Sequence, residues 1–187
     1  MLVRSYRQRY SEDIGLLTSD NKIFFHENGW VKKSSCGSLH PILHVHVLWA
    51  KKDVRAKCYP ADTPQKKREG LQGYNSLNEN EGMYFPYINS DVTFHQGTVP
   101  FSLDILFLRN SEVIDMVENT VVGSTDKWSC AGCDGVLEFN AGFIEENKVE
   151  TQDKLAFFSI TKRDLLEFEK ERSFLAMIAE EMAQDGL

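Results

Sequence analysis

Apolar and polar residues in this chain change places over short stretches with the two-residue period of β-strands, until the last segment, where the period lengthens to that of a helix. KIFF (22–25) and ILHVHVLW (42–49) read as strands, with turn signals at Asn28-Gly29 and over positions 34–38. Asn-Gly between KIFFHE and WVKK predicts a hairpin with a type I′ turn. From Thr161 onward, Leu165, Phe168, Leu175, Ala179 and Met182 paint one apolar stripe, and Thr161 with Asp164 forms a start signal. A C-terminal amphipathic helix is therefore expected. A second, short helix is expected in TPQKKREG (63–70), with Thr63 as N-cap and Pro64 in the first helical position.

The densest apolar run, GMYFPYINSDVTFHQGTVPFSLDILFL (82–108), carries an isolated carboxylate, Asp104, among the apolar residues near its end. In an extended chain Phe101, Leu103, Ile105 and Phe107 face one way, and Ser102, Asp104, Leu106 and Leu108 the other. Desolvating an unpaired carboxylate is costly, so Asp104 has to be hydrogen-bonded, charge-paired, protonated or at the surface. Either it accepts bonds from backbone N–H groups or a basic side chain, or it belongs to a site. VLEFNAG (136–142) is a second segment of the same type, with Leu137 and Phe139 on one face and Val136, Glu138 and Asn140 on the other. Asp104, Glu138, Asn140 and His95 form a candidate polar cluster suited to a cation or a donor-rich ligand. In the plainer alternative, Asn140 and Gly142 end the strand in a turn.

The ordered series GLQGYNSL (70–77), GMYFPY (82–87), FHQGTVPFSLDILFL (94–108), VLEFNAG (136–142) and KVETQDKLAFF (148–158) resembles the bacterial and archaeal family called domain of unknown function 192. The likeness covers residues 54–158, and Asp104 and Glu138 fall on the family's acidic positions. It implies a compact, mostly β, barrel-like domain with one or two short helices, and it carries no activity. The chain departs from the family pattern at Gln72, Tyr74, His95, Gln96 and Gln152, which makes it a divergent member.

The resulting expectation is an α+β, mostly β fold: a barrel-like antiparallel or mixed sheet with short helices and the C-terminal helix. Residues 1–50 are read as an extension with a hairpin, 51–158 as the core domain and 159–187 as the helix. With 187 residues and 42% hydrophobic content, one core suffices.

A formal net charge of −7 repels phosphate backbones. The local exception is VRSYRQRY (3–10), a short basic and aromatic stretch that by itself reads as a solvated start, so nucleic acid is not the expected partner. No signal-peptide core and no run of about 18 apolar residues occurs, which predicts a cytoplasmic protein without a membrane span. Four cysteines are too few for a disulfide scaffold, and thiols are expected.

Two groupings have the residue types of a divalent metal site such as zinc. His40, His44 and His46 share one parity along a strand. Cys130 and Cys133 form one C-x-x-C, half of a zinc site, in what reads as a turn-rich loop. No nucleophile elbow, phosphate loop, dinucleotide fingerprint or H-E-x-x-H is present. Two functions from different classes follow. One is a binding or assembly module that meets a protein partner, or a second copy, through the C-terminal helix. The other is a small metal-assisted enzyme, a hydrolase for instance, using Asp104 and Glu138 with the histidines.

Overall fold

Among the described residues, β-branched and aromatic side chains at alternate positions build a curled mixed sheet with two short helices packed on it. The structure, a computed structural model, describes residues 23–26, 29–33 and 39–161, with the side chains of 43–157 and 159. Its strands are β1 (Ile23–His26), β2 (Gly29–Lys33), β3 (Leu39–Trp49), β4 (Arg55–Pro60), β5 (Glu81–His95), β6 (Leu103–Arg109), β7 (Glu112–Val117), β8 (Lys127–Asn140) and β9 (Leu155–Thr161). Helix α1 (Pro64–Glu69) lies between β4 and β5, and α2 (Phe143–Asn147) follows β8. The sheet order is β1-β2-β3-β4-β5-β8-β6-β7, with β9 on β3.

The expected N-terminal hairpin is present: β1 and β2 pair antiparallel, with His26 opposite Gly29. Gly29 is already part of β2. β3, which a division at residue 50 leaves in the extension, sits inside the sheet between β4 and β9. β9 runs through Thr161, opposite Ile42, so positions 159–161 are strand. The rest of the expected C-terminal helix lies outside the described residues.

Every neighbouring pair along the sheet is antiparallel except β4 and β5, which run parallel. A parallel pair needs a crossover, and residues 61–80 supply it with α1. Thr63 Oγ1 accepts the N–H of Lys66 at 3.2 Å, Pro64 opens the helix, and Gly70 at φ +48° ends it. This short helix agrees with the sequence expectation.

Two apolar cores lie on the two faces of the sheet. One holds Val45, Val47, Tyr84, Leu106, Leu108, Val113, Leu137, Phe139 and Leu155, contributed by strands from β3 through β9 and sealed by Phe143 and Ile144 of α2. So many strands reach one cluster only if the sheet curls around it, and the ring of Tyr84 meets that of Phe157 at 5.0 Å across the curl. A further tie across the curl joins β7 to the start of β9: Glu112 bridges Lys154, and the N–H of Leu155 donates to the carbonyl of Ser111 at 2.8 Å. The second core holds Met83, Phe85, Phe94, Leu103, Ile105, Phe107 and Val136 under the crossover residues Ala61, Leu71 and Leu77.

Glycine is required at one crowded crossing. A Cβ on Gly82 would lie 2.6 Å from the ring of Phe139 and 2.8 Å from the carbonyl oxygen of Glu138.

Candidate functional site

Asp104 is fully buried, and both of its carboxylate oxygens are satisfied by backbone. Oδ1 accepts the N–H of Asn119 and Oδ2 the N–H of Ile144, each at 2.8 Å. The carboxylate thereby ties the segment after β7 and the start of α2 to β6. Sequence alone left open whether it is a clamp or part of a site, and the geometry makes it a clamp.

Glu138 has a different setting. Ile105 and Met83 stand opposite it on the adjacent strands, while Asp104 stands opposite Phe139. Side chains alternate along a strand, so Asp104 and Glu138 face opposite sides of the sheet. The acidic pair expected from the sequence therefore does not form. Glu138 is 5% exposed, and among the described residues its carboxyl has no hydrogen-bond partner. Burial alone pushes its pKa up to about 8.

The Glu138 carboxyl opens on a cleft of about 100 Å³ between the crossover and the sheet. Phe85, Tyr87 and Phe94 line it from β5 together with His95, while Lys67, Arg68 and Glu69 reach it from α1. The rings of Phe85 and Phe94 meet edge to face at 5.0 Å, which stiffens the apolar wall. The Lys67 ammonium sits 3.9 Å above the centre of the Tyr87 ring and donates to the carbonyl of Pro86. Burial lowers its pKa. For the Tyr87 hydroxyl, burial and then the nearby Glu138 raise the pKa.

Of the four residues in the expected cluster, then, His95 and Glu138 share a cleft, and Asp104 is elsewhere. Asn140 holds the crossover: its amide donates to the carbonyl of Leu77 at 2.9 Å and accepts the Leu77 N–H at 3.2 Å. Gln96 is fully buried and builds the turn beside His95, donating to the carbonyls of Val99 and Phe101 and accepting the Thr120 hydroxyl. Lys67 and Tyr87 were not singled out from the sequence. The available signal was the Lys-Lys-Arg run in the last turn of a helix that crosses between parallel strands, which puts basic groups over the sheet.

His44 and His46 lie on the face of β3 away from the core, their rings 5.1 Å apart. Burial first, then His46 and Lys57, lowers the pKa of His44 to about 4, and burial followed by Lys57 lowers that of His46. Both are neutral at pH 7, the form that ligates metal. Among the described residues no third metal-ligating side chain completes a set with them, and the His40 side chain is outside that description. Beside them, Lys57 bonds Tyr59 and Glu81 at 3.0 and 2.9 Å.

Cys130 and Cys133 sit within β8 rather than in the expected loop. A bulge at Ala131 and Gly132, with Gly132 at φ +62°, interrupts the ladder there. Arg109 donates to both of those carbonyls and Asp91 accepts the Gly132 N–H. The extra residue brings both thiols to the same core. Burial and contact with Cys130 push the Cys133 thiol up to about 12.

Residues 47–157 match the family model described as an uncharacterised ACR, domain of unknown function 192. Among curated proteins no relative matches the chain. Two solved structures share the fold. A Sinorhizobium meliloti 1021 protein, described as a candidate transcription regulator, is 22% identical, with a TM-score of 0.57 over 62% of this chain and 93% of its own. A Novosphingobium aromaticivorans DSM 12444 protein of unknown function is also 22% identical, with a TM-score of 0.55 over 74% of this chain and 93% of its own.

Proposed function

Because the chain belongs to the domain of unknown function 192 family, whose name carries no reaction, we propose that it is a binding module whose ligand enters the cleft between α1 and the face of β5 and β8. One observation supports this above the rest: a carboxyl group only 5% exposed, without a hydrogen bond among the described residues, opens on that cleft. The carboxyl keeps contact with solvent through the cleft, so a ligand that bonds to Glu138 takes the place of that solvent at a group no side chain or backbone group among the described residues engages.

A metal-assisted hydrolase built on Asp104 and Glu138 has no support in this geometry, since the sheet separates the two carboxylates. The cytosol suits the chain, because Cys58, Cys130 and Cys133 are free thiols. Among the described residues no helix is long and apolar enough to cross a membrane. The amphipathic stripe from Leu165 to Met182 supports a further role in assembly, on sequence pattern alone.

The test is a survey of small polar fragments against the isotope-labelled full chain by amide NMR. Binders should shift the amides of Tyr87, His95 and Glu138 together, and Glu138→Leu should remove those shifts while keeping the fold. Shifts that survive in the Glu138→Leu protein, or no binder at all, would refute the cleft as a site.

A further inference from the structure

Resting on that reading of the cleft, we infer that its ligand is a small carboxylate, bound by the Glu138 carboxyl, the Tyr87 hydroxyl and the Lys67 ammonium. The argument begins with the balance of donors and acceptors. Glu138, buried without a partner, keeps its proton near neutral pH and offers an O–H. Tyr87 keeps its own proton, and among the described residues its hydroxyl has no hydrogen bond. Lys67 spends its ammonium on the Pro86 carbonyl and the Tyr87 ring face, and an ammonium has three N–H groups. All three groups can donate, and the cleft wants an acceptor.

Charge points the same way. Lys67 and Arg68 line the cleft from α1, and Glu69 is the acid beside them, held along the helix by the Gln65 amide at 2.7 Å. Of the β5 residues that line the cleft, Tyr87 and His95 are the ionisable ones, and His95 stands at the exposed rim. With Glu138 protonated, the lining carries two positive charges against one negative, apart from His95. The opening of about 100 Å³ compares with roughly three waters at liquid density, which suits a short-chain acid. Phe85 and Phe94 form an apolar wall for its hydrocarbon end.

This inference fixes the sign of a proton linkage. A carboxylate binds while Glu138 holds its proton, and ionised Glu138 would repel it, so affinity falls as pH rises through about 8. An organic cation would reverse the sign, since it pairs with ionised Glu138 and releases a proton on binding.

Propionate, propionamide and propylammonium are the probes, each titrated into the isotope-labelled full chain near pH 6 and near pH 9 and followed by amide NMR. Propionate should be the tightest of the three, with affinity reduced about tenfold at the higher pH. Glu138→Gln keeps a neutral donor, so it should retain propionate binding and lose the fall above neutral pH. A fall that persists in the Glu138→Gln variant would overturn the role given to the Glu138 proton. Lys67→Met should weaken propionate about fivefold or more with an otherwise unchanged spectrum. Tighter propylammonium binding that strengthens with pH would overturn the carboxylate inference and leave the cleft standing as a site. No response to any of the three would overturn the inference, and the fragment survey then decides separately whether the cleft binds anything.

Discussion

Asp104 and Glu138 lie one register step apart on adjacent strands, β6 and β8, and point to opposite sides of one sheet. One acid has both oxygens occupied by backbone N–H groups, and the other has no partner among the described residues. Their consequences for stability differ accordingly.

Replacing Asp104 by Ala leaves the N–H of Ile144 without an acceptor at a buried position and that of Asn119 without one at a part-buried position. A buried orphan costs about 1–3 kcal/mol and one that water can reach costs less, so the variant should lose about 2–4 kcal/mol of unfolding free energy. Asp104→Asn should fall between, because its amide has one oxygen to accept with and turns an NH₂ group toward the other donor. Urea unfolding midpoints of the three proteins check the order, and an Asn variant as stable as the parent would contradict the clamp.

Glu138 should make the folded state sensitive to pH in the opposite sense from an ion-paired acid. Its folded pKa is raised from 4.5 to about 8, so between those values the native state binds more protons than the unfolded chain. Its contribution is complete below the unfolded pKa and is lost as pH rises through the folded one, with a slope of up to about 1.4 kcal/mol per pH unit. Glu138→Gln should be markedly less pH-dependent from pH 5 to 8 and should be the more stable protein above pH 8. Parallel pH profiles of the two proteins would show that the acid is not buried in this way.

Gly82 meets Phe139 and the backbone of Glu138 more closely than any Cβ allows. The oxygen in the way is part of the sheet ladder and cannot swing aside. Gly82→Ala should therefore destabilise by about 3 kcal/mol or more, or prevent folding. Gly73→Ala meets nothing within 4 Å and serves as the control. Thermal melting of the two variants gives the comparison.

The alternation at 101–108 and at 136–140 was legible in the sequence, and each parity assignment there holds in the structure: Leu106 and Leu137 lie in one core, Ile105 and Val136 in the other. The short helix after Thr63 was legible as well, because a cap and a proline act within one turn. Register was not legible. Whether Glu138 faces Asp104 or Ile105 depends on a shift of one residue between strands more than 30 positions apart, and both arrangements satisfy the same apolar pattern. The Cys130 to Cys133 segment misled for a related reason. It read as a turn-rich loop, whereas Arg109, donating to its carbonyls, and Asp91, accepting the Gly132 N–H, hold it as a bulge within a strand. Lys67 and Tyr87 meet through the crossover, a tertiary contact with no local signature.

The one parallel pairing among the described strands, β4 with β5, obliges the chain to leave the ladder and come back over it. That detour is the roof of the cleft. Roof and ladder are therefore joined by few residues: Leu71 reaches into the core, while the side chains of α1 that line the cleft can change in charge or size without removing a rung beneath them.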